Sequence, residues 1–494
     1  MSDDLRYRFG PLEQRGFLFG LRTAQVGLLF GGAFLGVIAM HALPGSGGIA
    51  LAMLFLTVAA GSCFWHVSGR SVDQWVPVGM RWLVRKLKRE NIHVSQAPLQ
   101  GHSWKTPLIP KDAPPSLKSI SIIAAPVAGG ELGVVKDALS GTYTAVLAVR
   151  GRSFALLDQQ DKARLLSQWG DVLTGLAREG SPITRLQWLE RTSADGGETV
   201  AQYLRESVKG DYTSPAVRSY LQLIEEAGPV ARRHETYLSV QIDGLRARRA
   251  IRQSGGGDTG ACLVLAREIY GLATRLQAAD LDVLGLLTPQ VLAETIRTAY
   301  DPAAKNGLAM KSVMYPDEMG VNPAHAWPLK TVSHWDHLAS DSAVHATFWC
   351  AEWPRTDVGP DFLAPLLLQT WVHRTVSVTM EPVSPLKAQR EVETARTADI
   401  ADAEVRQKHG FITTMRRQRQ HEGVLRRELE LADGHADIRF SGYITVTAQN
   451  QEELEVACSE VEQQAGQSRI VLRRLSGEHD VAFTYTLPLA RGLR

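Results

Sequence analysis

Two long apolar segments near the start of the chain constrain its fold more than any other feature. Residues 23–43 and 49–67 are 21 and 19 residues long and contain no Asp, Glu, Lys or Arg. As helices rising about 1.5 Å per residue, each can cross about 30 Å of hydrocarbon. The five residues between them, PGSGG, form a turn and carry no charge. The sequence therefore predicts a transmembrane helical hairpin over residues 23–67, preceded by an N-terminal arm of residues 1–22.

The alternatives for these segments are a cleaved signal peptide and a pair of buried helices in a soluble protein. The segments are longer than the apolar part of a signal peptide, and the second follows the first at once. Both are apolar all round and rich in Gly and Ala, whereas a helix on the surface of a soluble core has a polar face. We therefore expect two membrane spans.

Basic residues flank the hairpin on its outer sides. Residues 1–97 contain ten Lys or Arg against five Asp or Glu, whereas the other 397 residues contain 44 against 47. The basic residues before the first span are Arg6, Arg8, Arg15 and Arg22, and the turn between the spans has none. Because positive flanks stay in the cytoplasm, the sequence predicts a multi-pass protein of the inner (plasma) membrane with both termini cytoplasmic.

A basic amphipathic segment, residues 70–90, follows the second span. Trp75, Val78, Trp82, Leu83 and Leu87 form a predicted apolar face if the segment is helical. We expect an interfacial helix on an anionic lipid surface. A helix packed on the soluble domain and a nucleic-acid patch are the alternatives. The predicted membrane-surface residues are Arg70, Arg81, Arg85, Lys86, Lys88 and Arg89.

Four glycines in the first span have the spacing of a helix-packing motif. Gly27 and Gly31 form one GxxxG pair, and Gly32 and Gly36 form another. Small residues at this spacing let two membrane helices approach closely. We expect these glycines to pack a helix, either within the hairpin or from a partner.

The rest of the chain divides into a linker and two α+β subdomains. Residues 91–118 contain five prolines, which favour extended chain, so we expect a Pro-rich linker there. The first subdomain is predicted over residues 119–330 and the second over residues 331–494. Each shows the order strand, helix, strand, helical insertion, strand, helix, strand, which is the ferredoxin-like (split βαβ) order.

The fold class is therefore α+β, with duplicated ferredoxin-like units and helical insertions. Tyr143 and Val344 begin corresponding strands 201 positions apart, and Thr236 and Asp437 lie in corresponding strands at the same separation. A single α+β domain of unrelated parts is the alternative. The insertion at residues 386–432 is predicted to be a charged helical hairpin, which is either a solvated arm or a docking site for a partner.

No catalytic or nucleotide-binding motif occurs in the sequence. GxxxxGK(S/T), GxSxG and HExxH are all missing, the glycine-rich stretch GGGDTGAC at Gly255 lacks the lysine context of a phosphate-binding loop, and the four cysteines are scattered. The segment from His325 to His345 also contains His334 and His337, which would share a face if they lay on a helix. A metal-dependent enzyme using this segment is the alternative to a protein without catalysis or cofactor, which is our prediction.

Several stretches of the sequence resemble parts of one family of membrane machines. YRFGPLEQRGFLFGLR (residues 7–22), followed by two spans and a basic exit, resembles the two-helix inner-membrane subunit of type IV secretion and conjugation systems. The later stretches look like the N-terminal domain of the conjugative secretion ATPase: YTAVLAVRGRSFALLD (143–158), SPITRLQWLERT (181–192), FLAPLLLQ (362–369), RTVSVTMEPVSP (374–385), FSGYITVTA (440–448) and TLPLARGLR (486–494). The whole layout resembles membrane proteins of high-GC Gram-positive bacteria.

That resemblance implies a role in assembly. The ATPase's motor domain has no counterpart here, so no residue can be assigned to ATP hydrolysis. The resemblance implies a membrane-anchored scaffold that docks other secretion-system subunits, including a separate hexameric ATPase, with possible homo-oligomers. We expect no direct nucleic-acid binding, because residues 98–494 carry a net negative charge.

Overall fold

The computed structural model describes most of the chain in two compact units. The described residues are 9, 23–43, 45–67, 70–95, 112–127, 129–151, 154–194, 214, 215, 219, 222, 232–305, 307–308, 320–368, 372–409 and 415–493. The anchor unit spans Gly10–Asn91 and Ser476–Glu478, and the body unit spans Met1–Phe9, Ile92–Leu475 and His479–Arg494.

The anchor unit is a helical hairpin followed by an amphipathic helix. Its elements are α1 (Thr23–Ala42), α2 (Ser46–Phe64), the antiparallel pair β1 (His66–Val67) and β2 (Arg70–Ser71), and α3 (Val72–Leu87). Both α1 and α2 contain a window that is long and apolar enough to cross a membrane, and only 22% of each window is buried.

The body unit contains one antiparallel sheet of 13 strands. Its first strands are β3 (Ile92–Val94), β4 (Ile120–Val127) and β5 (Gly130–Asp137). β3 lies within the stretch predicted to be a linker, and residues 96–111 of that stretch lie outside the described residues. The strands of the two repeated units and of the connection between them continue this sheet, with β3 at one end of the strand order and β4 at the other.

Two ferredoxin-like units make up the centre of this sheet. The elements of the first unit are β6 (Thr142–Arg150), α4 (Gln159–Leu176), β7 (Ile183–Ala194), β8 (Arg232–Asp243), α5 (Arg248–Gln253), α6 (Gly257–Ala278) and β9 (Asp282–Leu286). Its strands pair in the order β9-β6-β8-β7, which is the ferredoxin-like order with the last strand beside the first. The helical insertion predicted for this unit falls between β7 and β8, where residues 195–231 lie largely outside the described residues.

The second unit repeats this arrangement. The connection to it contains α7 (Pro289–Tyr300), β10 (Lys330–Ser333) and β11 (Leu338–Ser340). The elements of the second unit are β12 (Ala343–Glu352), α8 (Ala364–Leu368), β13 (His373–Val383), α9 (Pro385–His409), α10 (Met415–Ala432), β14 (Asp437–Ala448), α11 (Gln451–Gln467) and β15 (Val471–Arg474), and they are followed by the short helix α12 (His479–Ala482). Its strand order is β15-β12-β14-β13, so the predicted duplication of ferredoxin-like units is confirmed.

The repeat extends to the strand that precedes each unit. β5 pairs with the first half of β6 and β9 with the second half, on the same edge of β6. β11 and β15 share one edge of β12 in the same way. The two units join through the antiparallel pair β7–β13, in which Trp188 lies opposite Val378. We call this pair the seam.

Helices of both units cover one face of the sheet. Leu147 of β6 packs with Leu265 of α6 in one apolar core, and Ile444 of β14 packs with Leu454 of α11 in another. Trp188 of the seam contacts both cores, which places the two helical layers on the same face. The physical basis is the two-residue period of the strands, because neighbouring side chains point to opposite faces.

The other face is covered by α7 and by the C-terminal segment of residues 483–493. Val146, the neighbour of Leu147, packs here with Ile296 of α7 and Phe483. The fully buried side chain of Gln187 on β7 holds this segment, since its Nε2 donates to the carbonyls of Tyr485 and Leu487 and its Oε1 accepts from the amide of Ala490. This amide satisfies backbone groups that would otherwise be buried without partners.

Local signals in the sequence account for the ends of several helices. The side chains of Asp158, Thr288 and Asn450 accept hydrogen bonds from backbone amides in the first turns of α4, α7 and α11. At the start of α11 the backbone amide of Glu453 donates to Oδ1 of Asn450 at 2.9 Å. The predicted helical hairpin over residues 386–432 corresponds to α9 and α10, so the α+β fold class with its helical insertion is confirmed for the described residues.

Candidate membrane anchor and docking surfaces

The two helices of the hairpin pack through small residues. An ideal Cβ on Gly32 would lie 2.7 Å from the Cβ of Ala59, and one on Gly36 would lie 3.4 Å from that of Ala52. These glycines therefore allow α1 and α2 to approach closely. Gly27 and Gly31 have no atom within 4 Å of the same ideal position, so they lie on the open side of α1. The structure thus places one GxxxG pair between the helices and the other facing away.

One polar side chain also joins the two helices. Nε2 of Gln25 donates to the carbonyl of Cys63 at 3.0 Å, and both residues are buried. A polar group that faces a neighbouring helix can satisfy its hydrogen bond inside a bilayer. Gln25 therefore fits a membrane span better than its polarity alone suggests.

The outer surface of the hairpin is covered with large apolar side chains. Phe30 and Phe34 of α1 are 68% and 67% exposed, and Met53 and Val58 of α2 are 60% and 61% exposed. A contiguous apolar surface of this kind is not stable in water and marks a contact with lipid or protein. The helices are apolar outside and small-residue inside, which is the arrangement of membrane helices and not of a buried soluble core.

The residues of the predicted apolar face lie on two sides of α3, one packed against the protein and one exposed. Val78 is buried, and Trp82 is half-buried with Nζ of Lys86 4.9 Å from its ring centre. The apolar residues exposed on α3 are Val76, Met80, Leu83, Val84 and Leu87. The last four lie four, seven, eight and eleven positions after Val76, so all five form a stripe along one side of the helix. Val76, Met80 and Val84 were missed in the sequence analysis, although their helical spacing was readable.

The predicted membrane-surface residues lie along and after the same helix. Arg81 and Lys86 are exposed on α3, Arg85 is half-buried, and Lys88 and Arg89 are exposed just beyond its end. The side chain of Arg70 lies outside the described residues. The arrangement therefore combines an exposed apolar stripe with at least four exposed cationic groups.

The histidine segment does not form the face that a helix would give. His334 and His337 lie in the turn between β10 and β11, where the amide of His334 donates to the carbonyl of His337. Their rings stack with centres 4.4 Å apart, and His337 bonds to Asp336. His325 lies in a separate 3-10 turn.

His345 is a structural residue in the core of the second unit. Its ring is fully buried on β12 and bonds to Ser340 and to Thr447 of β14. Burial lowers the pKa of His345 to about 3. Among the residues that the structure describes, no group of three or more His, Cys, Asp or Glu side chains is placed to hold a metal ion. The metal-enzyme alternative therefore has no support from the geometry.

The densest charged cluster of the body lies at one end of the seam. Nη1 of Arg374 on β13 is 2.7 Å from Oε2 of Glu190 on β7, and the arginine is fully buried. Glu190 also bonds to His234 at 2.6 Å. Burial alone raises the pKa of Glu190, but the bond to His234 and the charge of Arg374 outweigh it and hold the pKa below its usual value.

A second ion pair continues the cluster. Arg191 bonds to Glu235 at 2.6 Å, and Lys305 lies 3.1 Å from the same carboxylate. Burial raises the pKa of Glu235, but Arg191 and Lys305 outweigh it and lower the pKa to about 2. Each of these charges faces an opposite charge, so the arrangement holds strands together.

Neither this cluster nor the role of Gln187 was predicted from the sequence. Gln187, Glu190 and Arg191 lie within the stretch SPITRLQWLERT and Arg374 begins RTVSVTMEPVSP, whereas His234, Glu235 and Lys305 lie outside both stretches. Charges alternating with apolar residues in a strand normally indicate a solvated face. Glu190 and Arg191 point to opposite faces of the sheet, and both are buried because each face is covered by a second layer, as α7 covers Arg191.

A cavity of about 180 Å³ is lined by the N-terminal end of the body and by the chain after α7. Its lining includes Ser95, Asp112, Arg297 and Trp327. The guanidinium of Arg297 is 3.0 Å from Asp341 and 2.6 Å from the carbonyl of Trp327. Pockets that bind small molecules are usually about 300–1,000 Å³, so this cavity is small for a ligand.

Comparison with known proteins yields one match. Residues 230–350 match the model of a family described as "EccE: Putative type VII ESX secretion system translocon, EccE". The matched part runs from the start of β8 to near the end of β12. No curated protein matches the chain.

The match supports a membrane subunit of a secretion system in general. It agrees with the two apolar helices and with the predicted secretion class. It gives no support to the type IV and conjugation assignment or to the identification of an ATPase N-terminal domain, because the family belongs to type VII systems.

Proposed function

We propose that this chain is a non-catalytic, membrane-anchored scaffold of an inner-membrane secretion complex of the type VII kind. The observation that carries the proposal is the hairpin of α1 and α2, whose large apolar side chains face outward. The match of residues 230–350 to a translocon family supports the secretion role. The hairpin anchors the protein, and the sheet offers rigid surfaces for neighbouring subunits.

In this proposal both termini lie in the cytoplasm and α3 lies on the inner membrane surface. The exposed stripe of α3 enters the interface, and Arg70, Arg81, Arg85, Lys86, Lys88 and Arg89 face anionic headgroups. Each such cationic group contributes about 1 kcal/mol near an anionic surface. A peptide of residues 70–90 should bind vesicles containing phosphatidylglycerol more tightly than vesicles of phosphatidylcholine, and Leu83→Asp should weaken binding to both.

The partners in this proposal are other subunits of the secretion complex, including a separate hexameric ATPase, and further copies of this chain. The hairpin of α9 and α10 is the docking arm. Its base is held to the sheet by Arg427, which bonds to Asp437 at 2.5 Å, and by Arg439, which bonds to Glu391 at 2.5 Å. Leu386, Ile400 and Leu429 are at least 50% exposed along it. A base fixed in this way presents those side chains at a defined position.

Co-purification from native membranes tests the scaffold role. The tagged chain, extracted in mild detergent from cells that carry the secretion complex, should bring down the complex's ATPase and membrane subunits. It should show no nucleotide hydrolysis when purified away from them. Replacing both Ile400 and Leu429 by Asp should reduce recovery of partners, while Leu139→Asp, on the exposed tip between β5 and β6, should not. Repeated recovery of the chain alone would contradict the proposal.

A further inference from the structure

An aromatic socket on the second ferredoxin-like unit holds Phe9. Phe9 precedes the membrane hairpin in the sequence, whereas the second unit follows it. The socket consists of Trp353, Phe362 and Phe440. The ring centre of Phe9 lies 5.3 Å from that of Trp353, 5.3 Å from that of Phe362 and 5.9 Å from that of Phe440. All four residues belong to the body unit, although Phe9 precedes the hairpin in the chain.

The fold builds the socket from two elements. Trp353 and Phe362 come from the loop between β12 and α8, and Phe440 comes from the start of β14, beside the base of the α9–α10 hairpin. Trp353 and Phe440 pack edge to face with centres 5.2 Å apart. They would contact each other in this way without Phe9, so the socket is largely preformed.

A glycine beneath the socket fixes the tryptophan. An ideal Cβ on Gly442 would lie 2.7 Å from the ring of Trp353 and 2.9 Å from Sγ of Cys350. No side chain larger than hydrogen fits there without moving the ring. The indole therefore rests on the backbone of β14, which positions it to receive another aromatic ring.

The contacts of Phe9 have the geometry of favourable aromatic pairs. Ring centres between about 4.5 and 7 Å apart attract each other beyond the burial of area. With Phe9 in place, Phe440 is still 39% exposed and the other two rings of the socket are half-buried. Without Phe9, three aromatic rings would form one exposed patch on the body, which is unusual for a surface without a partner.

We propose that the arm before the first membrane span docks on the second unit through Phe9. This proposal rests on the proposed membrane anchor. It has one further consequence, because a docked Phe9 requires the arm and the body to lie on the same side of the membrane. An even number of spans between residues 10 and 91 satisfies that requirement.

Cross-linking in the intact membrane protein tests the docking. In full-length protein in native membranes, Gly10→Cys combined with Gly359→Cys keeps all four rings and should form an intramolecular cross-link with a flexible bis-maleimide. The matched control is Gly10→Cys combined with Leu245→Cys, whose side chain is 80% exposed on the first unit, and it should give no cross-link. The four native cysteines are buried, so they remain in place.

Co-expression of two cysteine variants tests whether the arm docks on the body unit of the same chain or of another copy. Co-expression of one chain with Gly10→Cys and another with Gly359→Cys should give no cross-linked dimers. Cross-linked dimers in place of intramolecular products would overturn docking within one chain. Absence of the intramolecular cross-link, in protein that remains in the membrane fraction, would overturn the docking while leaving the anchor intact.

Hydrogen exchange gives a second test that does not need introduced cysteines. Phe9→Asp should increase exchange by about tenfold in residues 353–362 and 438–442, because at least two aromatic pairs are lost. Phe9→Tyr keeps the ring and should preserve protection. Both variants should remain in the membrane fraction, and equal protection in the two variants would contradict the role of Phe9.

Discussion

The anchor unit and the seam of the body bury opposite kinds of side chain. In the hairpin, small residues such as Gly32 and Ala59 meet inside and large apolar side chains lie outside. At the seam, a fully buried Arg374 and a buried Glu190 lie inside. The difference teaches that exposure alone does not classify a residue, because the surrounding medium decides whether an apolar or a charged side chain is stable there.

Removing the buried arginine should have the largest effect on stability. Arg374→Ala leaves the buried carboxylate of Glu190 without its arginine partner, and such a loss typically costs about 3–5 kcal/mol. Chemical unfolding of the full chain in detergent should show a decrease of that size. Arg374→Met combined with Glu190→Leu should recover part of it, because no unpaired charge then remains.

The other end of the seam provides the matched control. Arg185 of β7 and Glu381 of β13 form a pair at 3.8 Å in which both side chains are more than a quarter exposed. Solvent screens such a pair, so Glu381→Gln should lower the unfolding free energy by at most about 1 kcal/mol. Equal losses in Arg374→Ala and Glu381→Gln would contradict the importance of burial at the seam.

An introduced charge should have opposite consequences in the two regions. Phe34→Arg places a charge near the middle of α1, where insertion is penalised by about 2.5–3.5 kcal/mol. The ratio of membrane-inserted to extracted chain after carbonate treatment should fall about 100-fold under conditions where insertion is at equilibrium. Leu245→Arg, at an exposed position of the body, should leave extraction unchanged and alter stability by no more than about 0.5 kcal/mol.

The two GxxxG pairs should respond differently to a larger side chain. Gly32→Leu forces atoms into the space of Ala59 and should destabilise the hairpin by about 1–3 kcal/mol. Gly27→Leu adds a side chain on the open side of α1 and should leave the hairpin intact. Cysteine cross-linking between α1 and α2 measures the difference, and a similar loss in both variants would show that Gly27 also packs a helix.

Acid should destabilise the second ferredoxin-like unit at moderate pH. Burial lowers the pKa of His345 and of His479 to about 3, from 6.5 for exposed histidine. Because the unfolded chain binds these protons first, the stability they contribute is complete above pH 6.5 and is lost as pH falls toward 3. Each histidine should therefore reduce the unfolding free energy by about 1.4 kcal/mol per pH unit over most of that range.

A substitution of His479 distinguishes the pH dependence due to the histidines from that due to the carboxylates. Glu235 has a pKa of about 2, so its contribution is lost only below pH 4.5. Between pH 6 and 5, His479→Asn should reduce the slope of stability against pH, while its Oδ1 keeps an acceptor for the amide of Thr347. An unchanged slope would contradict a buried, neutral His479.

Much of the fold was predictable because its signals are local. The order of strands and helices followed from two-residue and 3.6-residue periods and from caps such as Asn450. The ferredoxin-like order then restricted which strands lie side by side. The exposed stripe of α3 was only partly found, because Trp75, Val78 and Trp82 are as apolar as Val76, Met80 and Val84, and only packing separates the two groups.

The sequence by itself determined the two apolar spans, the basic flanks and the repeated strand order, because each depends on residues close together in the chain. The tertiary structure alone decided that Glu190 meets Arg374, that Gln187 holds the C-terminal segment and that Phe9 enters the socket of Trp353. These contacts join residues separated by more than 180 positions, and local periodicity carries no information about which distant strands and segments pair.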